Sequence, residues 1–450
     1  MPNSYIVVLK PTTRAAIELI AEDIERFVGG KLVTNLGKRA IFKNALQGFG
    51  VEMSDEMARA VAADPRVDFV EENAYVELSG AQSFTDADPH YNLDRIDQRW
   101  TVASGFRSYQ WQSTGANVHA YVLDTGVVRN HIEFDDDNDP NTPQYQPRVR
   151  DGVNFSDDNL PASNPCGGFS NDYFAGTHGT AVASVLGGKT VGVAKDVAIV
   201  PIKVANCSGA IGQLVWMCWG MDWIVGPDNP NPIPTATPSR PFRALGPAVA
   251  NISLFIRTDV ASSDPTPIGS FEHTVNNVLG AGIQVFVSAN NQARSDCETS
   301  PARMAYGNSA GFGSPYRTVS VGGTDETDAL WRCNVNIPGE CNVQFPGGPI
   351  SDPGSNTGPC VDLYAPVHNL KVAWINGYSS YRVAPGQRSG TSFAAPAAAG
   401  VGARILQNNS SLSPSQLWDQ IKLNATALPS NFDGDSVNDN DRLLYLSPGQ

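Results

Sequence analysis

Apolar and polar positions near the start of the chain recur at two different periods. Tyr5-Ile-Val-Val-Leu9, Phe49-Gly-Val-Glu52 and Val67-Asp-Phe-Val-Glu71 read as strands, and Thr13 to Phe27 and Asp55 to Ala63 as helices, with turn residues between them. Residues 4 to about 78 are therefore expected to form a small α+β unit. The polar stretch Ser79 to Asp88 reads as a linker. From about residue 90 onward, apolar runs alternate with helical ones, the pattern of a mostly parallel sheet with helices on both faces, an α/β/α arrangement in three layers. The expected strands are Val118 to Leu123, Ala198 to Val204, Ala248 to Leu254, Ile283 to Ser288 and Arg317 to Val321. Acidic or proline-rich inserts interrupt the pattern at 135–172, 226–247 and 325–358.

Composition narrows the function classes. With 450 residues and 41% hydrophobic content, the chain can bury a full enzyme core and a smaller appended domain. Lys and Arg number 31 against 45 Asp and Glu, and the net charge of -14 repels nucleic acid phosphates and anionic lipid. Neither partner is expected. The longest apolar runs, Val118 to Leu123 and Ile283 to Val287, fall far short of the roughly 20 residues that cross a bilayer. The opening Met1-Pro-Asn-Ser-Tyr5 lacks the charged-then-apolar pattern of a secretory leader. Export is thus expected to use a leader removed beforehand or another route. Seven cysteines occur with no CxxC pair, which favours disulfides plus one leftover thiol over zinc or dithiol redox chemistry.

Three segments carry candidate chemistry. Val118-His-Ala-Tyr-Val-Leu-Asp124-Thr-Gly126 is a strand ending in a carboxylate, and functional groups of such sheets gather at the carboxyl ends of strands. Ala175-Gly-Thr-His178-Gly-Thr opens a small-residue helix with an imidazole. Gly390-Thr-Ser392-Phe-Ala-Ala-Pro opens another with a hydroxyl, where free N–H groups and the helix dipole favour negative charge. Each alone also has a structural reading: a turn Asp, a core His, a capping Ser. Together, in the order Asp, His, Ser, they match a serine-hydrolase arrangement.

Val-Leu-Asp124-Thr-Gly, Gly-Thr-His178-Gly-Thr and Ser-Gly-Thr-Ser392-Phe-Ala-Ala-Pro resemble the three active-site signatures of the subtilase family, specifically its proteinase K and aqualysin branch. The resemblance spans essentially the whole chain. It implies a serine endopeptidase that passes through an acyl-enzyme, is made as an autoprocessed zymogen, acts on protein or peptide substrates as a secreted monomer, and needs no cofactor for catalysis. Residues 1–80 resemble an inhibitory propeptide, 81–90 a linker with the maturation site, and 91–450 the peptidase domain. The propeptide is then the enzyme's own intramolecular inhibitor. Asp124, His178 and Ser392 match the triad. Phe286-Val-Ser-Ala-Asn290-Asn291 matches the segment supplying a side-chain oxyanion donor, a role expected of Asn290, with Asn291 the competing choice.

The resemblance also implies a substrate cleft between two chain edges, Gly209, Ala210, Ile211 and Gly212 on one side and Ser253, Leu254 and Phe255 on the other, with Ser288 and Ala289 beside the pocket. Phe255, Ile256, Ala289 and Phe393 depart from the residues usual in the family. Bulk at 255 and 256, where glycine is usual, is expected to narrow specificity. The same resemblance pairs Cys166 with Cys207 and Cys297 with Cys360; Cys333 and Cys341 are close enough in sequence for a third bridge, leaving Cys218 as a buried thiol. Structural calcium is implied at Asp362, with carbonyls near Tyr316 and Thr318, and is permitted by the acidic runs 135–139 and 431–441.

Overall fold

The computed structural model describes residues 3–35, 38–73, 75–78, 83–84, 91–99, 109–134, 148–163, 174–207, 212–226, 246–256, 269–295, 299–306, 316–333, 342–345, 348–351, 353–374, 381–382, 385–386, 389–429, 432 and 441–447. The N-terminal unit begins with β1 (Ser4–Leu9), followed by α1 (Arg14–Val28), β2 (Gly48–Glu52), α2 (Asp55–Ala62) and β3 (Val67–Glu72). Thr13 stands at the N-cap of α1, and Gly29 ends it with φ 59, a left-handed conformation that costs glycine no Cβ clash. Ser54 caps α2 by accepting from the N–H of Met57. β1 lies between β2 and β3 and pairs antiparallel with both. The two helices cover one face through Ile17, Ile24, Ala58 and Val61, which form a core of their own with Tyr5, Val7 and Phe49.

The main sheet of the larger unit has nine strands among the described residues. Those that position the site are β5 (His119–Asp124), β6 (Val153–Asn154), β7 (Ala198–Lys203), β9 (Ala248–Ile252), β11 (Gln284–Ser288), β12 (Val319–Thr324) and β13 (Leu363–Pro366); β14 (Thr426–Ala427) and β15 (Arg442–Leu443) complete the edge. Their order is β6-β7-β5-β9-β11-β12-β13-β15-β14, every neighbouring pair parallel except the last. Parallel strands buried on both faces carry continuous apolar runs, which is why Val118 to Leu123 and Gln284 to Ser288 lack alternation. The boundaries move by one to three residues from expectation. The single expected strand 248–254 divides into β9 and the short β10 (Leu254–Ile256), which leaves the main sheet to pair elsewhere.

Helices cover both faces of the sheet. On one side α3 (Phe174–Gly187) and α6 (Thr391–Asn408) pack in a cluster with Val122, Phe286 and Val321. On the other, α4 (Leu214–Val225) and α5 (Gly269–Gly280) pack in a cluster with Tyr121, Leu123 and Ile252. The small residues of α3 and α6 let the two helices cross closely: a Cβ on Gly400 would stand 2.8 Å from the carbonyl oxygen of Leu186. α7 (Pro414–Asn424) opens with a capping box between Ser413 and Gln416.

The N-terminal unit and the larger unit meet along a third, small sheet. β4 (Tyr75–Leu78) lies between β8 (Gly212–Gln213) and β10, antiparallel to both, with Val76 opposite Gly212 and Ile256, and Leu78 opposite Leu254. Farther along, Ser83–Phe84 pairs with Pro385–Gly386. The stretch that reads as a plain linker therefore contains one backbone pairing with the larger unit, at Ser83–Phe84, and β4 pairs with that unit just before it.

Candidate active site

Asp124 ends β5 in the middle of the sheet, and its carboxylate is fully buried. Such a charge must be matched by donors. The N–H of Thr125 donates to Oδ1 at 2.7 Å, and Nδ1 of His178 lies 2.8 Å from Oδ2 and 2.9 Å from Oδ1. His178 sits in the first turns of α3, equally buried. The next residue has to be small: a Cβ on Gly179 would meet the carbonyl oxygen of Gly126 at 2.3 Å and Cβ of Asp124 at 3.1 Å. That close approach, fixed further by the Gly179 N–H on Oγ1 of Thr125 at 3.0 Å, brings the imidazole onto the strand-end carboxylate.

Ser392 is the second residue of α6, buried, with Gly390 at φ 140 delivering the chain into the helix. Two buried side chains hold this turn. Oδ1 of Asn291 accepts both the N–H and the hydroxyl of Thr391, each at 2.9 Å. The hydroxyl of Ser253 donates to the carbonyl of Ser392 at 2.8 Å, while Nδ2 of Asn251 donates to the Ser253 oxygen at 3.0 Å. The ring of Phe393, the residue after the serine, lies 6.4 Å from the His178 ring, so α3 and α6 present their first turns to each other.

Asn290 follows β11 at φ 81, a left-handed conformation that asparagine tolerates better than other non-glycine residues. Its Oδ1 accepts the N–H of Asn291 at 2.6 Å and its backbone carbonyl accepts Asn356 N–H at 2.9 Å. Its Nδ2 is buried and has no hydrogen-bond partner among the described residues. A buried amide left open in this way costs free energy unless something arrives to accept from it. Asn291, by contrast, spends its amide oxygen on Thr391.

Of the expected cleft residues, Gly212, Leu254 and Phe255 lie on the two edges that clasp β4, and Ser253, Ser288 and Ala289 are buried just beyond them. Gly209, Ala210 and Ile211 lie outside the described residues. Leu254 and Ile256 both join the core under α4 and α5, so by strand alternation Phe255 faces the opposite side. The bulk at 256 is thus packed into the core and does not obstruct the cleft. Asp362 is buried, yet its carboxylate is already engaged: the Arg317 guanidinium pairs with Oδ1 and the N–H of Ser320 donates to Oδ2 at 2.9 Å. Among the described residues no three His, Cys, Asp or Glu side chains gather as metal ligands.

Contacts between the two units were not legible from residue patterns. Asp222 of α4 is buried and receives the N–H groups of Lys43 at 3.1 Å, Ala45 at 2.7 Å and Leu46 at 3.4 Å, together with that of Asn44. Burial pushes its carboxyl up to about 6, against these donors, which favour the ionised form. Asn73 accepts the N–H of Val215 at 2.9 Å and Glu71 that of Ser270 at 2.8 Å, capping the first turns of α4 and α5 from the N-terminal unit.

A carboxylate, an imidazole on it and a serine at a facing helix start define a serine hydrolase by class. Comparison with known proteins is specific. The model of the subtilase family matches residues 115–441, and that of the peptidase inhibitor I9 matches residues 4–79. The alkaline serine exoprotease A of Vibrio alginolyticus is 32% identical over 98% of this chain and 67% of its own length. The extracellular serine proteinase of Thermus sp. (strain Rt41A) is 30% identical over 95% of this chain and 85% of its own. A cold adapted subtilisin-like serine proteinase of known structure is 30% identical, with a TM-score of 0.55 over 80% of this chain and 98% of that one. Fervidolysin from Fervidobacterium pennivorans, at 17% identity and a TM-score of 0.61 over 100% of this chain and 60% of that one, shares the fold.

This chain belongs to the subtilase family. It is a serine endopeptidase of subtilisin type, hydrolysing peptide bonds in proteins through an acyl-enzyme and made as an autoprocessed zymogen whose I9 segment inhibits it. As in other subtilases, catalysis needs no cofactor.

Proposed function

We propose that Asp124, His178 and Ser392 are the catalytic triad and Asn290 the side-chain oxyanion donor. The observation that carries this is the buried Asp124–His178 contact at 2.8 Å, with the Ser392 helix start held opposite by Asn291 and Ser253. A serine hydroxyl is a poor nucleophile at neutral pH, so His178 takes its proton through Nε2 as Oγ attacks the scissile carbonyl, then returns it to the leaving amine. Asp124 holds the imidazole in the tautomer with Nδ1 protonated and stabilises the imidazolium. The negative oxygen of the tetrahedral intermediate is met by Nδ2 of Asn290 and the N–H of Ser392. The test is Ser392→Ala in the full chain. The precursor is expected to remain uncleaved and unlabelled by a fluorophosphonate probe, whereas self-maturation of that purified variant would refute the triad.

The proposed substrate path is the one β4 takes, an added antiparallel strand between 209–212 and 253–255, with Ser288 and Ala289 at the pocket wall. The domain boundaries follow: propeptide 1–80, linker 81–90 and peptidase 91–450, with cleavage between about Leu78 and His90. The pairing of β4 with the edges at 212–213 and 254–256, and of Ser83–Phe84 with Pro385–Gly386, supports maturation inside this stretch.

The bonded state of Cys207, Cys333 and Cys360, beside a free Cys218, supports the bridges Cys166–Cys207, Cys297–Cys360 and Cys333–Cys341; Cys166, Cys297 and Cys341 lie outside the described residues. Oxidised cysteines and the extracellular relative support secretion. A secreted monomer acting on proteins or peptides, with no nucleic acid or membrane partner, remains the reading; no helix among the described residues is long and apolar enough to cross a membrane.

Calcium at Asp362, Tyr316 and Thr318 does not fit these residues. The carboxylate that would ligate it is neutralised by the Arg317 side chain, from between the two carbonyl donors. A cation there would have to displace the half-exposed Arg317 guanidinium from the buried Asp362 carboxylate. The acidic run 135–139 and residues 433–440 of the other run lie outside the described residues.

A further inference from the structure

Lys203 closes β7, directly opposite Asp124 in the parallel register, and its side chain is fully buried. An isolated buried ammonium is costly, so its partners matter. Nζ lies 2.9 Å from the carbonyl oxygen of Thr125, 2.8 Å from that of Ala205 and 2.9 Å from Oδ2 of Asp158. Three acceptors match the three protons of an ammonium, and a neutral amine would leave one of them unmet. Sγ of Cys207 stands 3.4 Å away.

Thr125 links this ammonium to the triad segments, and the other partners border it. Thr125 is bonded at both ends: its carbonyl to Lys203, its N–H to the Asp124 carboxylate and its hydroxyl to Gly179 of the His178 helix. Ala205 and Cys207 begin the chain segment that leads into the cleft edge at 212. Asp158 also accepts the N–H of Cys207 at 3.1 Å. The charged groups facing the ammonium are Asp158 and Asp157 from the loop after β6 and Asp124 from β5; Asp157 is itself bonded to Asn206. Burial lowers the Lys203 pKa and these carboxylates oppose the effect.

We propose that Lys203 is a positioning residue of the triad: its ammonium pins the Asp124–Thr125 turn and supplies a buried positive charge beside the triad, balanced by Asp158, that shapes the pH dependence of catalysis. This rests on the triad reading. Removing that charge makes a second positive charge at the triad easier to hold and so raises the pH needed for activity, and removing its counter-charge lowers that pH. The two changes act in opposite directions. Loss of packing alone has no such sign.

The test is the acid limb of kcat/KM against pH for matured Lys203→Met and Asp158→Asn enzymes. Lys203→Met is expected to move the limb up by about half to one pH unit and Asp158→Asn to move it down by a similar or smaller amount. If Lys203→Met does not fold, Asp158→Asn alone decides, since its amide keeps an acceptor for the lysine. Mature Asp158→Asn enzyme that labels with a fluorophosphonate at native stoichiometry, yet keeps its limb within about 0.1 unit or moves it upward, overturns the electrostatic role. Failure of the triad reading would appear separately, as activity retained in Ser392→Ala.

Discussion

Replacing Asn290 by Ala tests the oxyanion assignment most directly. Nδ2 is buried without a partner among the described residues, while Oδ1 is held by the Asn291 N–H and the backbone carbonyl by Asn356. The donor is therefore already oriented, and no protein hydrogen bond breaks when the developing oxyanion accepts from it. A preorganised donor of this kind is worth about 2.7–4 kcal/mol in the transition state, or roughly 10²- to 10³-fold in kcat. Substrate binding makes little use of it, so KM should stay within about twofold. The variant needs processing in trans by the native enzyme, followed by steady-state kinetics on a peptide substrate. Because φ is 81 at this position, Ala adds backbone strain that Gly avoids, and Asn290→Gly serves as the control. Equal kcat losses in Ala and Gly, with unchanged melting of the Gly variant, are the expected result. A loss under about threefold, or one carried by KM, would refute the assignment.

Two further outcomes follow from the same geometry. The Asp222 carboxyl, raised by burial to about 6 in the docked precursor, binds a proton that the free carboxylate would have released. Propeptide docking is therefore strongest below the ordinary carboxylate pKa of about 4 and weakens as pH rises through about 6, by up to about 10²-fold in affinity. Inhibition of mature enzyme by its cleaved propeptide, measured from pH 4 to 7, should show this slope, and Asp222→Asn should flatten it; a native slope in that variant would remove Asp222 from the linkage. Ser253→Ala leaves the Ser392 carbonyl and Nδ2 of Asn251 without their shared hydroxyl. A fall in kcat of about tenfold, restored by Ser253→Thr, is expected, and undiminished turnover in the Ala variant would contradict it.

Several residues were legible before any coordinates. A strand ending in Asp124, two small-residue helices opening on His178 and Ser392, and their order along the chain together indicate both the reaction and the family. Local chemistry explains this: close helix crossings demand glycine and alanine, and parallel strands demand unbroken apolar runs, so both leave marks in neighbouring residues.

Other features left no such mark. Tyr75–Leu78 looks like any short apolar stretch, and its place as the strand between two others comes from edges at 212–213 and 254–256, far along the chain. The Arg317–Asp362 pair, which displaces the expected calcium ligand set, joins positions 45 residues apart. Lys203, Asp222 and the Ser253 hydroxyl read as an ordinary strand-end lysine, a helix acid and a small strand residue. The sequence by itself determined the main strands and helices and which side chains are candidates for acyl transfer, because those depend on periodicity and on residue chemistry. The tertiary structure alone decided which buried charges face each other, since a desolvated ammonium or carboxylate takes its effect from partners that only chain packing brings within 3 Å.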